Sequence, residues 1–284
     1  MPTKVEKDAV TGTDTTGHEW DGVKELNTPL PKWWVYTFWA TAIWGLAYCL
    51  VYPALPGHKG FFGYSQRAEI EKSMGEAKAK LAPRMKQMAE TPLADIRRNP
   101  DLLRFAQAGG RTLFNDNCAT CHGPGGAGNK GYPNLADDDW LWGGKLDEIY
   151  QTIREGVRNS SDDSRQSQMP KFGEGGLTQP QISDVADFVL ALSGGAGDAT
   201  AAKRGEPIFG EQCASCHGDK GEGNPEVGAP RLSDKIWLYG GDKKTIVESI
   251  TYSRAGSMPG WTGRFDDATI KMLAVYVHAL GGGK

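Results

Sequence analysis

Two copies of one pentapeptide constrain this chain more than anything else in it. Cys118-Ala119-Thr120-Cys121-His122 and Cys213-Ala214-Ser215-Cys216-His217 account for four of its five cysteines. Two thiols flanking two residues, with an imidazole directly after the second, form the attachment pattern for c-type haem. Each pair of thiols adds to the two vinyl groups, and the histidine stands beneath the iron. A dithiol redox pair would not need a histidine after the second cysteine in both copies. A zinc site would need further ligands, and His18, His58 and His278 lie far off in sequence. Cys49 lies in an apolar stretch and reads as a small buried hydrophobe.

The pentapeptides belong to a longer repeat. Gly110, Phe114 and Cys118 recur with the same steps as Gly205, Phe209 and Cys213. Pro133-Asn134-Leu135 recurs as Pro230-Arg231-Leu232, Trp140-Leu141-Trp142-Gly143-Gly144 as Trp237-Leu238-Tyr239-Gly240-Gly241, and Met169-Pro170 as Met258-Pro259. Each copy closes on a short apolar helical pattern, Ile182 to Leu192 and Ile270 to Leu280, with glycines after it. Two copies with a period under a hundred residues mean a tandem duplication, not a solenoid. Each reads as helix, haem loop, glycine-rich loop, short helix, methionine loop, helix, which is the cytochrome c order. The 38 glycines suit small, loop-rich domains, which bury little surface and rely on a cofactor.

The sixth position of each iron points to a thioether. Of seven methionines, Met169 and Met258 alone sit in a Met-Pro pair between glycine-rich loop and last helix. Histidine–methionine ligation raises the potential of the iron. Own-domain ligation is the default expectation, although exchange of the two methionines between domains would leave every spacing unchanged. Met272 reads as core filler, and Met74, Met85 and Met88 as packing in a charged helix before both repeats. His278 aligns with Leu190 of the other copy, so it reads as a surface or packing residue. The loop carbonyls of Pro133 and Pro230 are placed to accept the imidazole N–H, and Trp140, Trp142, Trp237 and Tyr239 to wall the haems.

Upstream, Trp33 to Tyr52 runs for twenty residues without a charge. At ~1.5 Å per residue this spans roughly 30 Å, the thickness of a bilayer core. Trp33, Trp34 and Tyr36 crowd one end and Tyr48 and Tyr52 the other, as an aromatic belt would. The run starts too late for a cleaved signal, so one spanning anchor is expected. A mean hydropathy of −0.48 excludes a polytopic membrane protein, and a net charge of −3 excludes a strongly basic nucleic-acid binder. Basic residues are commoner after the span, nine against six acids in 64–110, which alone would leave the carboxyl side in the cytoplasm. Haem attachment outside the bacterial cytoplasm argues the reverse, and carries more weight.

The run Gly17-His18-Glu19-Trp20-Asp21-Gly22, then Leu26-Asn27-Thr28-Pro29-Leu30-Pro31-Lys32-Trp33-Trp34, resembles the dihaem subunit of cbb3-type cytochrome c oxidases, the CcoP or FixP family. The resemblance covers essentially the whole chain. The fold expected is mainly α: a cytoplasmic tail (1–32), a transmembrane helix (33–52), a partly helical periplasmic linker (53–104), and two class I cytochrome c domains (105–195 and 199–284). The resemblance implies two covalently bound haem c, attached at Cys118, Cys121, Cys213 and Cys216. His122 and His217 are then the proximal ligands, and Met169 and Met258 the distal ones. It implies a bacterial inner-membrane subunit that takes electrons from a donor cytochrome c, with the cytochrome bc1 complex a further candidate partner. The electrons pass to the monohaem subunit and on to the haem–copper subunit that reduces oxygen. A free-standing tethered dihaem carrier and a dihaem peroxidase are the alternative classes. The first repeat, residues 111–198, is acidic, with seven basic and thirteen acidic side chains. That asymmetry suits a basic donor docking near Asp137-Asp138-Asp139 and Asp162-Asp163.

Overall fold

The computed structural model describes residues 4–54 and 56–283, and the chain divides into two compact units, Met1–Lys80 and Leu81–Lys284. In the first, β1 (Thr15–Trp20) pairs antiparallel with β2 (Val23–Leu26), with Trp20 opposite Val23. The turn residues Asp21 and Gly22 have φ of 50° and 83°. Both are left-handed, as the two-residue turn favoured by Asp-Gly requires. That dipeptide is the local signal for the hairpin. No patterned apolar run flanks it, so in the sequence the segment passes for tail.

Helix α1 (Lys32–Val51) has no buried residue and no polar face. Thr37 and Thr41 return their hydroxyls to the carbonyls of Trp33 and Phe38, both at 2.9 Å, leaving the helix surface apolar. It ends one residue before the predicted boundary. Tyr52 precedes Pro53 and is extended, because the pyrrolidine ring disfavours a helical residue before it. Length and composition suit a membrane span.

Helix α2 (Gln66–Glu90) runs across the unit boundary. Its carboxyl end, α3 (Leu93–Arg98) and the start of α4 (Pro100–Asn117) bring Met88, Ile96 and Leu102 into a buried core. The last turns of the stretch expected as linker (53–104) thus contribute side chains to the core. Met85 packs at the edge of this core, whereas Met74 is exposed.

The two repeats follow the expected order. The first has α4, the single turn α5 (Ala119–His122), α6 (Leu146–Glu155) and α7 (Gln179–Leu192). The second has α8 (Ala199–Gln212), α9 (Ala214–His217), α10 (Lys243–Tyr252) and α11 (Asp267–His278). Side-chain caps start the long helices: Asn99 for α4, Thr178 with Gln181 for α7, Asp198 for α8 and Asp266 for α11.

The repeats do not form two separate cores. Helix α11 of the second repeat packs on α4 and α6 of the first, and α7 of the first packs on α8 and α10 of the second. One core accordingly mixes Phe114, Ile149 and Ile153 with Ile270, Leu273 and Ala274. The other mixes Ile182, Val185 and Val189 with Phe209, Ile246 and Ile250. In packing, the two repeats thus exchange their last helices. The connection between α7 and α8, residues 193–198, explains why. So short a link makes consecutive helices antiparallel neighbours, leaving α4 to take α11.

The exchanged crossings are matched in detail. A side chain on Gly110 would meet the Met272 carbonyl, and one on Gly205 the Asp184 carbonyl. Beside them Phe114 packs at a tilt on Tyr276 and Phe209 on Phe188, with ring centroids 5.5 Å and 5.1 Å apart. Gly205→Ala, whose Cβ would lie 2.1 Å from that carbonyl oxygen, is expected to cost about 1–3 kcal/mol. Gly210→Ala, on the same helix with open space around it, should be neutral or stabilising by a few tenths. Thermal unfolding of the two variants followed by circular dichroism checks this contrast.

Candidate haem-binding sites

Each Cys-x-x-Cys-His turn is built by the same backbone devices. The N–H of Cys118 donates to Phe114 O and that of Cys213 to Phe209 O, both at 2.8 Å, so each first cysteine caps the preceding helix. After the histidines, Gly123 and Gly218 turn the chain at φ of 76° and 79°. Gly128 N–H then donates back to His122 O at 2.6 Å and Gly223 N–H to His217 O at 2.7 Å. These bonds close the loop under each histidine.

Both imidazoles are oriented as expected from the sequence. Nδ1 of His122 lies 3.0 Å from Pro133 O, and Nδ1 of His217 lies 2.9 Å from Pro230 O. A carbonyl can only accept, so the proton sits on Nδ1 and the Nε2 lone pair is left for a metal. Burial pushes both histidines below their ordinary value, against the opposing pull of that hydrogen bond, and so favours the neutral ring. Burial likewise pushes the thiols of Cys118 and Cys213 up to about 11. Neutral sulfur is compatible with the thioethers that haem attachment makes of them.

The methionines lie where exchange, not own-domain placement, would put them. Met258 packs against the core that holds Phe114, Cys118 and Trp140, and Met169 against the one that holds Phe209, Cys213 and Trp237. The Met258 strand is bridged to Val157 of the first repeat, N–H to O at 2.9 and 2.8 Å in the two directions. Ser253 Oγ of the second repeat donates to Met169 O. This packing sets each methionine beside the turn of the other repeat, whereas the default expectation was own-domain ligation. The cause is the exchange of α7 and α11, since each methionine loop leads directly into its exchanged helix.

A cavity of about 710 Å³ lies against the second turn, lined by Cys213, Cys216, His217, Met169, Trp237 and Tyr239. That volume falls within the range of about 300–1,000 Å³ usual for cofactor sites. The donor set (thiols, an imidazole with free Nε2, a thioether) fits a c-type haem.

The aromatic walls also cross between repeats. Trp142 covers Gly228, where a side chain would come within 2.3 Å of the indole, and Tyr239 covers the equivalent Gly131. Arg165 and Arg254 lie over those two rings, 5.4 Å and 5.2 Å from the centroids. Trp140 instead donates its indole N–H to Gly282 O at 2.6 Å, tying the carboxyl terminus to the first site. Met272 is core, as expected. His278 is buried, with Nε2 3.4 Å from Arg97 Nη1, so it packs rather than ligates.

Sequence reasoning overlooked Arg158, Asn159 and Ser253, which hold the methionine strands. Arg158 and Ser253 carry unusual φ of 47° and 56°, a feature of backbone that residue type does not reveal.

The fold and these sites define a c-type cytochrome. Residues 107–193 match the family model for cytochrome c, and residues 200–277 that for subunit III of cbb3-type cytochrome c oxidase. Residues 12–59, spanning the hairpin and α1, match the N-terminal domain of the cbb3 oxidase protein FixP. The chain is 53% identical over 285 residues to the cbb3-type cytochrome c oxidase subunit FixP of Bradyrhizobium sp. (strain ORS 278), covering 98% of each chain. It is 51% identical to subunit CcoP of Azospirillum brasilense, covering 98% of this chain and 99% of that one. Against CcoP of Cereibacter sphaeroides the identity is 46%, over 95% of each chain. The chain belongs to the FixP/CcoP family: it is a haem-binding, electron-transferring cytochrome c subunit of a cbb3-type oxidase, associating with the other oxidase subunits.

The acidic run beside Trp140 is not uniform. Asp138 is exposed, whereas Asp139 is half-buried. Burial first, then Asp234 and Asp137, raise Asp139 from its ordinary 3.8 to about 6, with Arg231 opposing. A carboxyl whose folded value is raised stabilises the fold below its unfolded value, and that contribution is lost as pH rises through the folded one. Asp139→Asn should therefore gain stability relative to the parent as pH rises from about 4 to 6. Paired thermal midpoints across that range check the sign.

Proposed function

We propose that the chain carries two covalently attached haem c groups and passes electrons from a donor cytochrome c towards the oxygen-reducing subunit. Cys118 and Cys121 hold one group, and Cys213 and Cys216 the other. His122 and Met258 ligate the first iron, and His217 and Met169 the second. The observation that carries this reading is reciprocal: each thioether strand packs beside the Cys-x-x-Cys-His turn of the other repeat, and each imidazole is fixed by a proline carbonyl. Haem with histidine and thioether ligands supplies one-electron exchange at raised potential.

The protein's part is to hold both ligands of each iron, keep the imidazoles neutral and exclude water with Trp142 and Tyr239. Residues 1–32 lie in the cytoplasm, α1 crosses the inner membrane, and the cytochrome unit faces the periplasm, where haem is attached. The monohaem subunit receives the electrons and relays them to the haem–copper subunit. The electron source is a donor cytochrome c, soluble or anchored, with the cytochrome bc1 complex a further candidate.

Single-haem variants test the ligand sets. In a Cys213→Ala, Cys216→Ala chain, Met258→Ala should open the remaining iron to carbon monoxide and lower its potential, whereas Met169→Ala should do neither. The opposite pattern would restore own-domain ligation.

Donor docking is electrostatic in this reading. Asp138, Asp162 and Asp163 are exposed on the acidic repeat, while Asp139 is half-buried. Replacing the three exposed aspartates by asparagine should slow reduction by a basic cytochrome c several-fold at low salt. The difference should fade as the Debye length falls to about 8 Å at physiological ionic strength. Stopped-flow reduction across a salt series reads this, and an unchanged salt slope would place the donor elsewhere.

A further inference from the structure

The two methionine strands meet at one side chain. Arg158 Nε donates to Gly256 O at 2.7 Å and Nη1 to Ser167 O at 3.0 Å. Ser167 stands two residues before Met169, and Gly256 two residues before Met258. These are the strands on which the chain crosses from one core to the other and back. A single planar guanidinium therefore spans both crossings, a geometry that suits its fixed fork of donors and that a point-like ammonium cannot reproduce.

Arg158 is itself held firmly. Its φ of 47° lies in the left-handed region, which non-glycine residues enter only when their surroundings impose it. Its N–H donates to Arg165 O at 2.9 Å, and Val157, just before it, is bridged to both Arg165 and Met258. Asn159, just after it, donates Nδ2 to Met258 O at 3.0 Å. The Arg158 side chain also lines the cavity that Met169 and His217 share.

The geometry points to Arg158 as a positioning residue that sets both thioethers at once and so couples the distal ligation of the two haems. The inference rests on the assignment of Met169 and Met258 as distal ligands. Its consequence is that one substitution, touching neither a ligand nor a cysteine, disturbs both irons. Among the described residues of the second repeat there is no equivalent fork: Ser253 Oγ donates to Met169 O.

The test uses the full-length chain with both haems attached. Its readout is the thioether-to-iron charge-transfer band of the oxidised protein, in which each haem contributes about half. Attached haem is measured in parallel, to separate loss of ligation from loss of fold. Met169→Ala and Met258→Ala should each remove about half of the band. Arg158→Gln should remove more than half, because both strands lose their tether. Arg158→Lys keeps the charge but can reach one carbonyl, so it should remove part of the band and no more than half. It also supplies the reading if the glutamine variant loses haem. Arg104→Gln, a control arginine exposed on α4 and paired with Asp101, should leave the band intact.

If the methionine variants leave the band unchanged, the ligand assignment and the inference both fall. If they each halve it while Arg158→Gln removes half or less, or the lysine variant of a glutamine-intolerant site leaves it whole, the ligands stand and the coupling is refuted.

Discussion

Two helix crossings, each allowed by the absence of a side chain at Gly110 and Gly205, carry the rest of the cytochrome unit. At both, the backbone of a helix leading into a Cys-x-x-Cys-His turn lies against the backbone of the other repeat's last helix. A closely packed interior cannot absorb an added methyl group there without separating the helices. Because the last helices are exchanged, so are the strands leading into them, and each methionine is delivered to the opposite turn. The position of a sulfur atom is thus settled by a contact between two backbones on the far side of the core.

The same exchange gives the two sites common walls. Trp142 of the first repeat seals a loop of the second at Gly228, and Tyr239 returns the arrangement at Gly131. Both rings are themselves covered by arginines. Two small domains with separate cores would each have a modest buried interior. Here the helices of each repeat complete the other, so neither core exists without both. For an electron-transfer subunit, that makes the relation between the sites a property of one folded body rather than of a flexible link.

The cytochrome unit and the amino-terminal unit answer to different solvents. Helix α1 exposes apolar side chains on every face, and its hydroxyls return to its own carbonyls, as a bilayer demands. The hairpin before it needs only a local turn signal. Its match to the N-terminal domain of the cbb3 oxidase protein FixP marks it as part of the family's architecture, not a mere leader to the anchor.

The sequence by itself determined the chemistry and the order of the elements. The two pentapeptides named the cofactor class, the Met-Pro pairs named the candidate thioethers, and the proline carbonyls opposite the histidines followed from the repeat. Helices α7 and α11 were legible from their apolar spacing and α1 from its length, because these signals are local. Which core each last helix joins was decided only in the tertiary structure. The repeats are so alike at the crossings that Phe114 and Phe209 accept Tyr276 and Phe188 equally well by pattern, and no spacing distinguishes one pairing from the other. The short connection at residues 193–198 breaks that tie, through chain geometry rather than residue chemistry. Arg158 was invisible for a related reason: its role comes from two carbonyls about ninety residues apart in the chain, at Ser167 and Gly256, which only the exchanged fold brings within reach of one guanidinium.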